Sequence, residues 1–114
     1  MTPARRGGVW LVDFGEPIGH EQDYRQPAVI ISSDRMNASR AGLVIVVPVT
    51  TTRRMLPSHV ELDPTDSGLS EVSYAKAEDV KSVSVDRLVH SIGHAPPHVL
   101  HRIEHSLTIL LDLL

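Results

Sequence analysis

The side chains able to do chemistry fall into three groups. His98, His101 and His105 recur at i, i+3 and i+7, the spacing of one helical face. Three imidazoles in a row suggest zinc or nickel, but no Asp or Glu at good spacing completes a ligand set, and the leucines between them take the opposite face. These histidines are therefore expected to face solvent, with no metal bound. The second group is His20 beside Glu21 in the polar run GEPIGHEQDYRQ, Gly15 to Gln26. An imidazole and a carboxylate side by side can take and return a proton. In the third group, Thr50, Thr51 and Thr52 lead directly into Arg53 and Arg54, placing hydroxyl donors next to planar guanidinium forks that suit phosphate.

Composition narrows the chemistry. The chain has no cysteine, so thiolate metal sites, disulfides and a Cys nucleophile are excluded. No P-loop, G-x-G-x-x-G or G-x-S-x-G is present, and Gly7-Gly8 precedes a strand, which is the wrong context for a phosphate cradle. The 114 residues are expected to form one domain, 1–114. The apolar stretch Val9 to Val12 ends at Asp13, too short for a signal peptide or a membrane span, so a cytoplasmic location is expected. The net charge of −3 conceals an asymmetry: residues 1–54 carry seven Arg against five acids, and residues 55–114 carry four basic groups against nine acids. The first half is thus the better host for a polyanion.

The positioning elements are mostly strands. Gly8 to Phe14, Ala28 to Ser32 and Leu43 to Thr50 are short Val- and Ile-rich runs bounded by turn formers. His59 to Leu62 and Glu71 to Ala75 alternate polar with apolar, Lys76 to Lys81 continues the sheet after a bend, and Leu88 to Gly93 is a further strand. Pro48 implies an edge or a bulge in its strand, because it cannot donate to a ladder. Ser33 to Gly42 has room for a single helical turn. A C-terminal helix opens at Pro96-Pro97, and Leu100, Ile103, Leu107, Leu110, Leu111 and Leu114 form a stripe expected to cover the sheet. Five to seven strands in so short a chain make the fold mainly β, a small barrel or strongly coiled sheet.

Four blocks in order carry a family resemblance: Gly8-Val9-Trp10-Leu11-Val12-Asp13, Gly19-His20-Glu21-Gln22, Arg25-Gln26-Pro27-Ala28-Val29-Ile30-Ile31-Ser32, and Val47-Pro48-Val49-Thr50-Thr51. With Glu78-Asp79-Val80-Lys81-Ser82-Val83-Ser84 and the final helix, the chain resembles the MazF/PemK toxin endoribonucleases over nearly its whole length. The resemblance implies an SH3-like barrel with a C-terminal helix, a homodimer with a groove for single-stranded RNA, and a cognate antitoxin that occupies the groove. It also implies cleavage without a metal or other cofactor, by 2′-hydroxyl attack, leaving 2′,3′-cyclic phosphate and 5′-hydroxyl ends.

Carried onto this chain, the resemblance assigns Thr50 as the catalytic threonine and Glu21 as the acidic loop residue that orients an arginine or moves a proton. The family arginine stands immediately before the Pro of its block. Here Gln26 holds that place and Arg25 lies one residue earlier, so Arg25 is the expected catalytic arginine. A one-residue shift in an extended chain moves a side chain to the other face, which leaves open a weakened member that binds RNA or antitoxin without cutting well. His20, Tyr24, Gln26, Thr51, Arg53 and Arg54 are the expected RNA contacts, Tyr24 by stacking on a base. A CcdB-like gyrase poison shares this architecture but needs a Trp-Gly-Ile ending, and this chain ends Leu111-Asp112-Leu113-Leu114.

Overall fold

A computed structural model describes residues 3–15 and 24–113. Seven strands follow in chain order: β1 (Gly8–Asp13), β2 (Arg25–Ile30), β3 (Leu43–Thr50), β4 (His59–Leu62), β5 (Ser73–Lys76), β6 (Lys81–Ser84) and β7 (Leu88–His94). One-turn helices α1 (Asp34–Asn37) and α2 (Pro64–Ser67) sit in the connections, and α3 (Pro97–Leu110) closes the fold. All pairings are antiparallel, in the order β4-β5-β3-β2-β1-β7, with β6 also against β3. The fold is therefore mainly β, a seven-stranded antiparallel sheet with a C-terminal helix.

The period-two alternation of β1, β2 and β3 feeds two cores at once, because valine and isoleucine stand on both faces. Val9, Val29, Val47 and Val49 join Leu62, Ala75 and the helix residues Val99 and Ile103 in one core. Trp10, Val12, Ala28, Ile30, Val44 and Val46 fill the other.

The central strand β3 explains Pro48. One edge of β3 pairs with β2 from Val46 to Pro48. The other pairs with β6 from Leu43 to Val46 and then with β5 at Val49 and Thr50. Pro48 falls in the gap between β6 and β5, where a missing N–H breaks no bond to either strand. The expected edge is thus an interior change of partner. The turn of chain that spans the gap is a 3-10 turn at Ala77–Asp79, so the expected continuation of sheet from Lys76 to Lys81 is broken there and resumes as β6.

Local signals set the remaining elements. Ser33 caps α1 by accepting from the Met36 N–H, and Asp63 caps α2 by accepting from the Thr65 N–H, with Pro64 at the first helical position. Gly68 ends α2 at φ 81°, in the left-handed region that favours glycine. This turn lies against β7 so closely that a Cβ on Gly93 would stand 2.1 Å from the Ser67 carbonyl oxygen. β2 starts three residues before the expected Ala28, because Arg25 and Gln26 pair with Asp13 and Val12 of β1.

Helix α3 departs from its expected stripe. Val99 and Ile103 are buried, and Leu100 and Leu107 are partly so, but Leu110 and Leu111 are exposed, and Leu114 lies outside the described residues. Only the first three turns meet this chain's sheet. Arg6 fastens them: its guanidinium donates to the Ile31 carbonyl and to Glu104 of α3, and its backbone N–H donates to Asp34 at 2.7 Å. Among the described residues no helix is long and apolar enough to cross a membrane.

Ile103→Ala is expected to lower unfolding free energy by about 2–5 kcal/mol, read from urea denaturation. His98→Ala on the exposed face should stay within about 0.5 kcal/mol. Gly93→Ala is expected to destabilise as a core change does, through the Ser67 carbonyl.

Candidate functional site

The end of β3 delivers Thr50 to a polar cavity of about 300 Å³, lined also by Thr52, Arg54, His59, Lys76, Glu78 and Asp79. Strand alternation makes this assembly. Val49, Ala75 and Val60 face the core, so their neighbours Thr50, Lys76 and His59 fall on the other side of the sheet. Thr50 is half-buried, and its Oγ1 accepts from the Thr52 N–H at 3.1 Å. That bond tightens the turn after β3 and leaves the hydroxyl proton available to a ligand. A larger concavity of about 840 Å³ lies elsewhere, on the Trp10 side. Its lining is mostly apolar, with Asp86 and His90 the ionisable groups, so it lacks the cation and hydroxyl set found around Thr50.

Two sets of side-chain contacts organise the cavity wall. Lys76 meets Asp79 at 3.0 Å. Glu78 is held at both oxygens, Oε1 accepting from Ser58 Oγ at 2.7 Å and Oε2 lying 2.8 Å from His59 Nε2. The His59 side chain is only 3% exposed, and its Nδ1 is buried without a hydrogen-bond partner. Partial burial pushes the Glu78 carboxyl up, but the hydrogen bonds from Ser58 and His59 outweigh it and hold the group below the ordinary carboxylate range. Asp63 is lowered as well, by the Thr65 hydroxyl and backbone N–H.

The expected site residues are placed as follows. Arg25 opens β2, opposite Asp13 of β1, and Gln26 follows it opposite Val12. The β2–β3 register sets Ala28 against Pro48; carried two residues further it puts Gln26 level with Thr50 and Arg25 level with Thr51. By alternation Gln26 shares the Thr50 face. Tyr24 is half-buried just before β2, its carbonyl accepting from the Phe14 N–H at 2.9 Å. Thr51, Arg53 and Arg54 are exposed beyond β3. Arg54 shares the Thr50 cavity, whereas Arg53 borders a separate cleft with Tyr74 and Arg102. His20 and Glu21 lie outside the described residues. His98, His101 and His105 are exposed, and among the described residues no group of three His, Cys, Asp or Glu side chains is arranged to hold a metal ion.

His59, Lys76, Glu78 and Asp79 are brought to the site by pairing between β4 and β5 and by the 3-10 turn. His59 opens the alternating run HVEL and Glu78 opens the block EDVKSVS, both visible in sequence, but nothing in either run tells that they meet.

An antiparallel sheet packed by one C-terminal helix, with hydroxyl, guanidinium and carboxylate groups around a strand end, defines a mainly β protein with a polar cavity at the end of its central strand. Residues 5–111 match the family described as PemK-like, MazF-like toxins of type II toxin-antitoxin systems, and the chain belongs to that family. It is 36% identical over 114 residues to endoribonuclease MazF9 of Mycobacterium tuberculosis, an alignment covering 96% of this chain and 97% of the relative. Endoribonuclease EndoA of Bacillus subtilis is 27% identical, over 96% of each chain. Among solved structures, a MazE–MazF crystal structure from Deinococcus radiodurans superposes with a TM-score of 0.83 at 29% identity over the whole of both chains. A mycobacterial endoribonuclease in complex with its cognate antitoxin gives 0.80 at 28% identity over 97% of each.

The lowered Glu78 carboxyl gives stability a pH dependence of known sign. Its folded pKa lies below its unfolded value, so the contribution is fully present above pH 4.5 and lost as pH falls through the lower folded value. The difference in urea midpoint between wild type and Glu78→Gln is expected to be constant at neutral pH and to shrink on acidification below 4.5.

Proposed function

We propose that this chain is a type II toxin that cleaves single-stranded RNA internally, without a metal ion. The observation that carries the reading is Thr50, a hydroxyl donor at a strand end in a cavity that also holds Arg54 and Lys76. Cleavage by internal attack needs a positioned phosphate, donors for its non-bridging oxygens and a route for two protons. The 2′-oxygen bonds to phosphorus and gives up its proton, the bond to the 5′-oxygen breaks, and that oxygen takes a proton. The products are a 2′,3′-cyclic phosphate and a 5′-hydroxyl.

In this reading Thr50 and Arg25 donate to the phosphate and Glu21 orients the arginine or carries a proton. Arg25 is the first residue of β2, beyond the last β2–β3 pair at Ala28 and Pro48. His20, Tyr24, Gln26, Thr51, Arg53 and Arg54 are the residues assigned to contact the RNA. A cognate antitoxin occupies the same groove, and two copies of the chain form the working homodimer. Solved relatives bound to MazE or a cognate antitoxin support the partner. The exposed Ile109, Leu110, Leu111 and Leu113 at the end of α3 supply apolar surface of the kind that protein partners cover. The protein acts in the cytoplasm, where its substrate is.

One observation favours a second reading. Gln26, neutral, stands level with Thr50 where the family places arginine, and replacing a charged donor at a preorganised site costs on the order of 100-fold or more in rate. Such a chain would bind RNA or antitoxin and cut slowly.

Incubation with a long single-stranded RNA in EDTA separates the readings. Fragments with 5′-hydroxyl ends are expected, and Thr50→Ala and Arg25→Ala should each lower the rate by about 100-fold or more. Binding without cutting supports the second reading, and a silent Arg25→Ala rules out Arg25 as the phosphate donor. If Gln26→Arg accelerates cutting, the shift of the arginine is what limits this chain.

A further inference from the structure

The wall of the Thr50 cavity has more structure than phosphate binding requires. A phosphate site wants cations and hydroxyls, and a fixed carboxylate repels it. Yet Glu78 lines the same cavity as Thr50 and is clamped at both oxygens by Ser58 and His59. Each carboxylate oxygen keeps a further lone pair, and the side chain is 36% exposed, so those lone pairs are open to a ligand. Lys76 is engaged by Asp79 at 3.0 Å, which offsets that carboxylate's charge and leaves the remaining lone pairs of Glu78 as the acceptors a ligand would meet.

The clamp has a cost the fold tolerates. His59 is 97% removed from solvent, at 3% exposure, and its Nδ1 has no partner. An unsatisfied buried polar atom of this kind calls for a reason. The reason available is the other ring nitrogen, which holds Glu78 in one orientation from β4.

We propose that the cavity beside Thr50 is a nucleobase subsite with Glu78 as its acceptor and His59 as the positioning residue, selecting a base that carries an exocyclic amino group and rejecting uracil. Adenine, cytosine and guanine each offer an amino donor to a carboxylate. Uracil offers one N–H between two carbonyls, and those carbonyls meet the carboxylate with like polarity. Because Thr50 and Glu78 line one cavity of about 300 Å³, the base read here belongs to a nucleotide next to the cut bond. A site shaped to hydrogen-bond an amino group disfavours a base that presents a carbonyl in its place.

The inference rests on the RNA-cleaving reading, and two assays keep them apart. Fragment ends from a random-sequence RNA are sequenced after digestion by wild type and by Glu78→Gln, whose amide can donate to a uracil carbonyl as well as accept. Wild type should exclude uracil at one position beside the cut, and the variant should relax that exclusion by about tenfold or more. His59→Ala should relax the same position, while Arg54→Ala weakens all sequences alike. The second assay is binding of oligonucleotides with 2′-deoxyribose at the cut nucleotide, which cannot react, so that a variant too slow to cut is still read. An unchanged preference in Glu78→Gln by either assay, or a wild type that accepts uracil on both sides of the cut, overturns the subsite. A wild type that cuts no RNA overturns the nuclease reading, and the binding assay alone then decides whether the cavity reads a base.

Discussion

The molecule depends on β3 having two apolar faces. Val44 and Val46 go to one core and Val47 and Val49 to the other, so a change of register by one residue would strand both sets at once. β3 is also where the sheet changes partner, from β6 to β5, at Pro48. The strand is therefore held by hydrophobic burial on both sides and interrupted along one edge. Thr50 emerges just past the interruption, at the first position where alternation puts a polar side chain on the outer face of the β4–β5 hairpin. The site is a direct result of where the two-sided burial stops.

Periodicity exposed most of this architecture because the apolar runs are short, rich in β-branched residues and cleanly bounded. It placed Gly8, Leu43, His59 and Leu88 as strand starts, and the observed strands begin there; it placed a helix start at Pro96-Pro97, and α3 has Pro96 as its cap and Pro97 as its first residue. It failed where tertiary contacts decide. Arg25 and Gln26 look like loop, and become strand only because Asp13 and Val12 are there to pair with them. Leu110 and Leu111 continue a perfect stripe yet remain exposed, since a stripe reports a capacity for burial and says nothing of how far the sheet extends beneath it.

The site was legible in part for the same reason. Thr50 and Arg54 are four residues apart, and a short-range signal of hydroxyls running into guanidiniums identifies them. His59 and Glu78 are separated by 19 positions and come together through the pairing of His59 with Lys76. No local rule announces a pair made by register. Its marks are geometric: a buried imidazole with one idle nitrogen, and a carboxylate held at both ends.

Arg6 joins positions 98 apart when it reaches Glu104, and with the same guanidinium it binds Ile31, just past the end of β2. Val99 and Ile103 fill the core beneath that clasp. A nascent chain thus lacks both the lid on that core and the fastening of Arg6 until residues 99–104 have left the ribosome.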